Sequence, residues 1–402
     1  MSRLSAVPRE ALPESERRFY DAVRAIRRRP VSGPFIVTMN SSPDLAARIA
    51  HLGHYFHARG QADESIIPIR VRAFISLIGS RALDAPYEWG AWINWALEAG
   101  VPQETVDAIR EGRSPPNLNT EEELVADLCR QLVTGNHHLR EATFKAALER
   151  YGSQGLVELV MTLAYFAMIA LPLNAFEIEM SAEQTGLRKP FAPLEVGGTP
   201  ATDCEESLST RALASANTAA PRVPLLATHE AVAPEHQHFL DRIVRTRGWL
   251  SPVFQVLLHT PDVAERVANV GAFLLYESGL EPRTQALVGL IAARGLDCDY
   301  VWSAWAGETG KTAVGAELIE SLRTGKRAAP LSERDRILLA FCRQLLRANH
   351  HVSDVAYEAA LSQFGVAATV RIAVLLGYCA MMSLVANAFE AGLPAEERRP
   401  AL

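Results

Sequence analysis

The chain has no Cys-x-x-Cys pair and no zinc-like spacing among its five cysteines, which stand at 129, 204, 298, 342 and 379. A zinc site or a disulfide scaffold is therefore not expected. The N-terminus lacks a basic stretch followed by an apolar one, so the expected location is a reducing cytoplasm. Excess positive charge is missing too: 40 Lys and Arg face 46 Asp and Glu, a net charge of −6. The short run Arg27-Arg28-Arg29 reads as a solvated helix end. Neither nucleic acid nor a membrane surface is thus an expected partner. Convincing strand alternation is also lacking, and the expected fold class is all-α.

What is present is a duplication. Cys129-Arg130-Gln131-Leu132 and Asn136-His137-His138 recur 213 residues later as Cys342-Arg343-Gln344-Leu345 and Asn349-His350-His351. The same offset carries Asp84, Tyr87, Trp89 and Trp92 onto Asp297, Tyr300, Trp302 and Trp305. It also carries Tyr165, Asn174, Phe176 and Glu177 onto Tyr378, Asn387, Phe389 and Glu390. Units near 200 residues are too long for a solenoid and suit a duplicated domain. A chain of 402 residues, 49% of them hydrophobic, has material for two cores.

The expected layout is a polar tail over 1–12, a first helical-bundle domain over 13–180, a linker over 181–228 and a second domain over 229–395. Ser42-Pro43-Asp44 and Thr260-Pro261-Asp262 open equivalent helices, with proline at the first helical position. Asn119 or Thr120 before Glu121 to Glu123, and Ser332 in the second copy, cap another pair. Gly197-Gly198 and the Ser/Thr/Ala-rich run containing Cys204 have linker composition. His229, His236 and His238 read as a solvated helix start. The apolar runs 160–176 and 372–389 approach membrane-spanning length, but Pro172, Asn174 and Asn387 interrupt or close them. As equivalent segments, each following amphipathic helices, they read as buried core helices.

Tyr87-Glu88-Trp89-Gly90, Glu98-Ala99-Gly100, Ala108-Ile109-Arg110-Glu111-Gly112 and Leu173-Asn174-Ala175-Phe176 carry a family resemblance. On these residues the chain resembles the carboxymuconolactone decarboxylase and alkylhydroperoxidase-D superfamily, in its Tyr-Glu-Trp-Gly branch. The resemblance covers nearly all of both copies and implies two tandem helical bundles packed as a pseudo-dimer. It implies further association into a homodimer or homotrimer. Its redox members use Cys-x-x-Cys-x-x-x-His with an upstream Glu, a relay that serves a thiol. Here those positions hold Ala85, Glu88, Trp92 and Ala73 in the first copy, and Cys298, Val301, Trp305 and Ala286 in the second. A thiol cycle within one site has no resolving cysteine.

Glu88 and Trp92 are helical neighbours at i, i+4: either the indole desolvates the carboxyl and raises its pKa into acid–base range, or the tryptophans are core and Glu88 reaches solvent or caps a neighbouring group. The expected catalytic residues are Glu88 and, in a thiol reading, Cys298. Arg72, Tyr87, Trp89, Trp92, Tyr165 and Asn174 are the expected substrate-binding set, with Tyr300, Trp302, Trp305, Tyr378 and Asn387 in the second copy. Asn174 and Asn387 either line a pocket with the tyrosines or tie the core to backbone. His137, His138, His350 and His351 read first as caps after a left-handed Asn136 or Asn349, and second as a metal or anion site at the interface of the copies. The function expected is proton transfer without metal or cofactor on a small organic acid, lactone or polyketide-like molecule, by a decarboxylase, lyase or isomerase. The alternatives are a non-catalytic ligand-binding or scaffold protein and a thiol-dependent antioxidant.

Overall fold

A computed structural model describes residues 2–57, 65–180, 191, 220–312, 314–325, 331–347 and 349–392. Most of the linker composition, with Cys204, lies outside the described residues. Among those described there are sixteen α-helices and no strand. The first half runs α1 (Glu14–Arg27), α2 (Pro34–Met39), α3 (Pro43–His57), α4 (Ile69–Ala82), α5 (Pro86–Glu98), α6 (Gln103–Arg110), α7 (Thr120–Val133) and α8 (Glu141–Ala175). The second half repeats the order: α9 (Gln237–Arg247), α10 (Pro252–Leu257), α11 (Pro261–Ala272), α12 (Pro282–Gly295), α13 (Asp299–Thr312), α14 (Ala316–Thr324), α15 (Glu333–Leu346) and α16 (Asp354–Phe389).

Local chemistry accounts for most of these ends. Asn119 accepts from the Glu122 N–H while Glu122 accepts from the Asn119 N–H, a full capping box on α7. Ser332 caps α15 and Ser353 caps α16 by the side-chain bond alone, accepting from the Asp335 and Ala356 N–H groups. Gly152 and Gly365, at φ 65° and 76°, interrupt α8 and α16 at equivalent points. The two helices expected in each place therefore meet at a sharp bend, which glycine tolerates at little cost. Past the bend, α8 and α16 pack against each other in one continuous hydrophobic core drawn from both halves. The apolar stretch of each, long enough to cross a membrane, is buried inside the protein.

Contacts between the halves come in reciprocal pairs. Arg3 donates its backbone N–H to Phe176 O at 2.9 Å, and Arg222 donates to Phe389 O at 3.0 Å. The Arg3 guanidinium crosses to the second half, reaching Val352 O at 3.0 Å and Asp354 at 2.6 Å and lying 4.5 Å from the Tyr357 ring centroid. Arg222 crosses the other way, reaching Leu139 O at 2.8 Å, Glu141 at 3.2 Å and Phe144 at 4.7 Å. Arg48 on α3 donates to Asn269 O at 3.1 Å, and Arg266 on α11 donates to His51 O at 3.0 Å. Such exchange, in which each half offers the other the same patch, has the form of a two-fold interface. The segment expected as a polar tail and the end of the expected linker both take part in it. Residues from Arg3 onward and from Arg222 onward are docked, because each arginine satisfies carbonyl groups left open at helix ends.

Candidate functional site

The turn between α4 and α5 sets the site. Asp84 takes a left-handed conformation at φ 47°, Ala85 precedes the helix, and Pro86 stands at its first position. Glu88 therefore sits in the first turn of α5, with Trp92 one turn further on the same face. The Glu88 side chain is buried at 2% exposure, and Trp89 and Trp92 are at 0%. Glu88 Oε2 has no hydrogen-bond partner among the described residues, and neither indole N–H of Trp89 or Trp92 has one. Burial raises the Glu88 carboxyl from 4.5 to about 7, while the charges of Arg27 and Arg29 pull it the other way.

Around Trp92 stands a cage of rings. His57 lies 5.2 Å from it, Trp95 4.8 Å and Phe166 5.3 Å, and Tyr165 closes on His57 at 5.9 Å. Burial pushes the His57 imidazole well below its ordinary range, with Arg27, Arg29 and Arg72 adding to the effect. The Tyr87 and Tyr165 phenols are pushed up by burial and stay protonated. The Arg27 guanidinium packs 5.5 Å from the Phe35 ring, and its buried Nε has no partner among the described residues. The site thus combines a carboxyl that titrates near neutrality, a neutral imidazole, protonated phenols and nearby guanidinium charge. Such a set can give or accept a proton and stabilise a developing anion.

Two members of this set were not expected. Arg27 belongs to the run read as a solvated helix end. It follows Val23, which is 1% exposed, by four residues and so shares the inward face of α1. His57 follows Phe56 at the end of α3, and nothing in its spacing distinguishes it from a helix-end cation.

Other expected site residues are held for structural reasons. Asn174 donates to Leu83 O at 2.8 Å and Asn387 to Leu296 O at 2.8 Å, tying the last core helix of each half to the α4–α5 or α12–α13 turn. The tie to backbone, rather than the pocket, describes both asparagines. Asn174→Ala leaves a buried carbonyl unsatisfied and is expected to cost about 1–3 kcal/mol. An unchanged urea midpoint would show that the tie is idle. Arg72, 1% exposed, donates to Phe56 O at 3.3 Å. Tyr300 donates to Ser251 Oγ at 2.9 Å.

In the second half Val301 stands at the Glu88 position. Trp302 is buried, and Trp305 packs on Gly289 while hydrogen bonding to Cys379. Tyr378 lies 3.5 Å from Arg247 Nη1. Cys298 is fully buried, accepts from the Val301 N–H at 3.4 Å, and has its thiol pushed up to about 12 by burial. Cys379, within electrostatic reach of it, is pushed up to about 12 as well. A thiol that resists ionisation is a poor nucleophile.

Each histidine pair reaches a turn of the other half. His138 Nε2 lies 3.3 Å from Asp297 O, and His351 Nε2 lies 3.3 Å from Asp84 Oδ2. His137 and His350 each place Nδ1 2.8 Å from a carbonyl, of Leu132 and Leu345 respectively. The left-handed residues are His137 (φ 63°) and His350 (φ 48°), not the preceding asparagines. Burial lowers the pKa of His137 and pushes His350 down to about 4. Among the described residues no group of three or more His, Cys, Asp or Glu side chains is placed to hold a metal ion. His229, expected at a solvated helix start, pairs with Asp241 at 2.8 Å, and His236 and His238 are exposed beside Phe239. Compared with protein-family models, curated proteins and solved structures, the chain matches none.

Proposed function

We propose that this chain is a cofactor-independent enzyme acting by proton transfer, as a decarboxylase, lyase or isomerase, on a small organic acid, lactone or polyketide-like metabolite. The observation that carries this reading is the buried Glu88 carboxyl, which titrates near neutrality and has one oxygen without a partner among the described residues. A buried acid with a tuned pKa and nearby cationic charge is the usual equipment of a general acid or base. Arg27, rather than Arg72 or Asn174 of the expected substrate-binding set, holds the substrate carboxylate in this reading. Membership of the carboxymuconolactone decarboxylase and alkylhydroperoxidase-D superfamily, as a tandem pseudo-dimer, is part of the proposal and rests on the sequence motifs. Cytoplasmic location and homo-oligomer formation belong to it on the same footing.

The test is solvent deuterium exchange and product formation, followed by NMR, over a panel of small carboxylic acids and lactones. Wild type is expected to turn over at least one of them, and Glu88→Gln to lose about 100-fold or more. Equal turnover by the folded variant would remove Glu88 from the chemistry. The second reading, a non-catalytic ligand-binding or scaffold protein, draws on the complete burial of Trp89 and Trp92. Ligand binding by wild type without turnover of any panel member would favour it.

A further inference from the structure

We infer that the second half completes the site of the first: His351 is a positioning residue for Glu88, acting on it across the halves through the α4–α5 turn. This rests on the proton-transfer reading of Glu88, and it gives a task to the duplicated Asn-His-His segment. Within the first half the turn is built around Asp84, left-handed at φ 47°. The Ala85 N–H donates back to Ser80 O at 2.8 Å, and Asn174 donates to Leu83 O at 2.8 Å. The Asp84 carboxylate takes a contact from the second half, where His351 Nε2 lies 3.3 Å from its Oδ2. Glu88 stands four residues after Asp84, in the first turn of α5, so a shift of the turn passes to it along the backbone.

His351 is itself held. Before it, His350 is left-handed at φ 48°, with Nδ1 2.8 Å from Leu345 O and its N–H donating to Arg347 O at 2.9 Å. After it, the Ser353 N–H donates to Gln344 Oε1 at 2.7 Å, and Ser353 caps α16. The imidazole that meets Asp84 thus stands on a segment fastened on both sides, which suits it to hold a turn in place. The reciprocal reach differs in what it serves. His138 Nε2 lies 3.3 Å from Asp297 O at the α12–α13 turn, and that turn leads to Val301, which has no proton to exchange.

The influence of His351 runs through the backbone. Among the described residues, the charges acting on Glu88 are those of Arg27 and Arg29, and Glu88 in turn acts on the Tyr87 and Tyr165 phenols. Removing His351 leaves all of these groups in the chain. The pair is also partly exposed, at 37% for His351 and 29% for Asp84, so it adds little to global stability. Placement is more sensitive, since a displacement of about 1 Å can change a rate by about 100-fold.

Carbon-13 NMR titration of the full chain, labelled at the glutamate side-chain carboxyls, tests the inference. The Glu88 resonance is identified by its loss in Glu88→Gln, and its wild-type midpoint is expected at about 7. In His351→Ala the midpoint is expected to fall by about one pH unit, as the loosened turn lets water reach the carboxyl. His351→Gln, whose amide can still donate to Asp84, is expected to restore it, and His138→Ala to leave it unchanged. With any small acid or lactone that wild type turns over, His351→Ala is expected to lose about tenfold in kcat while KM stays within about twofold. Asp84→Asn keeps a side chain that tolerates the left-handed conformation but drops the charge. It is expected to lower the midpoint in the same direction, and decides the matter if His351→Ala does not fold. A midpoint that stays at the wild-type value in folded His351→Ala overturns the inference, as does an equal fall in His138→Ala or a fall that His351→Gln does not reverse. A wild-type midpoint near the ordinary 4.5 overturns the reading of Glu88 and the inference with it. A midpoint that falls in His351→Ala and returns in His351→Gln, in a protein that turns over no acid or lactone, upholds the positioning and overturns the reaction alone.

Discussion

Gly377→Ala is expected to destabilise the protein by about 3 kcal/mol or more, at the upper end of what overpacking costs. Gly377 lies on α16 where that helix crosses α8, and a side-chain carbon at this position would overlap the carbonyl oxygen of Met168. The obstacle is backbone in the middle of a buried helix, so it cannot rotate away as a side-chain tip can. The equivalent position in the first half is Ala164, fully buried. The close approach is therefore one-sided, and only the second half needs glycine there. For a cooperative unit of this size the loss corresponds to a fall in Tm of roughly 4 °C. Gly315→Ala provides the comparison, since Gly315 has open space around it and an ordinary negative φ. That change is expected to stay within about 1 kcal/mol. Equal melting of the two variants would mean that α8 and α16 slide apart at little cost, and that the shared core is softer than its burial suggests.

The parts of the fold that could be read in the sequence are those governed by neighbours along the chain. Asn119 with Glu122, and proline after Ser42 or Thr260, announce helix starts because capping involves only a few adjacent residues. The all-α class followed from the same local patterns. The six-residue helices α2 and α10 escaped notice because they are too short to show a period. A change of helix near Gly152 and Gly365 was legible, since an amphipathic helix gives way to an apolar one there, but not that the two join through one residue of positive φ, because a single glycine does not reveal the sign of its φ. In the site, the Glu88–Trp92 juxtaposition was legible, being a four-residue spacing on one helix. The tasks of Asn174 and Asn387 were not, since each bonds a carbonyl 91 residues away. Duplication aligns residues, but it does not say what each one touches.

The same limit applies to charge. Glu158 stands alone in an apolar helix, and its counterpart by the 213-residue offset is Arg371, of opposite sign. Glu158 accepts from Tyr55 Oη at 3.0 Å, from Ser65 Oγ, and from the Ile66 N–H at 3.2 Å, fastening the segment before α4. Arg371 donates to Ser278 O at 2.7 Å and to Ser41 Oγ at 3.0 Å, fastening segments of both halves. Either charge is acceptable because each has its own complementary partners, and buried charge is stable only when so paired. Glu88 departs from that rule: one of its oxygens has no partner among the described residues.

That departure sets the expected pH dependence of stability. The folded protein holds the Glu88 proton up to about pH 7, whereas the ordinary carboxyl value is 4.5. Between these values the folded state keeps a proton that the unfolded state has released, so stability falls as pH rises through the window. The contribution is full below the unfolded value and lost above the folded one, a change on the order of 3 kcal/mol. His57, His137 and His350 act in the opposite sense. Their folded values are depressed, so the unfolded state takes up protons first, and stability falls as pH drops below about 6.5. The two trends overlap, and the wild-type curve alone does not separate them. Glu88→Gln does, because the amide is nearly isosteric and does not titrate. Urea unfolding at about pH 8 is expected to find the variant more stable by on the order of 3 kcal/mol, with the difference closing toward about pH 5. A difference that does not change with pH would mean that Glu88 is not held at a raised value. A difference that grows as expected would mean that the protein retains, at a cost to its own stability, a carboxyl that a neutral residue could replace, and such a cost is characteristic of groups kept for function.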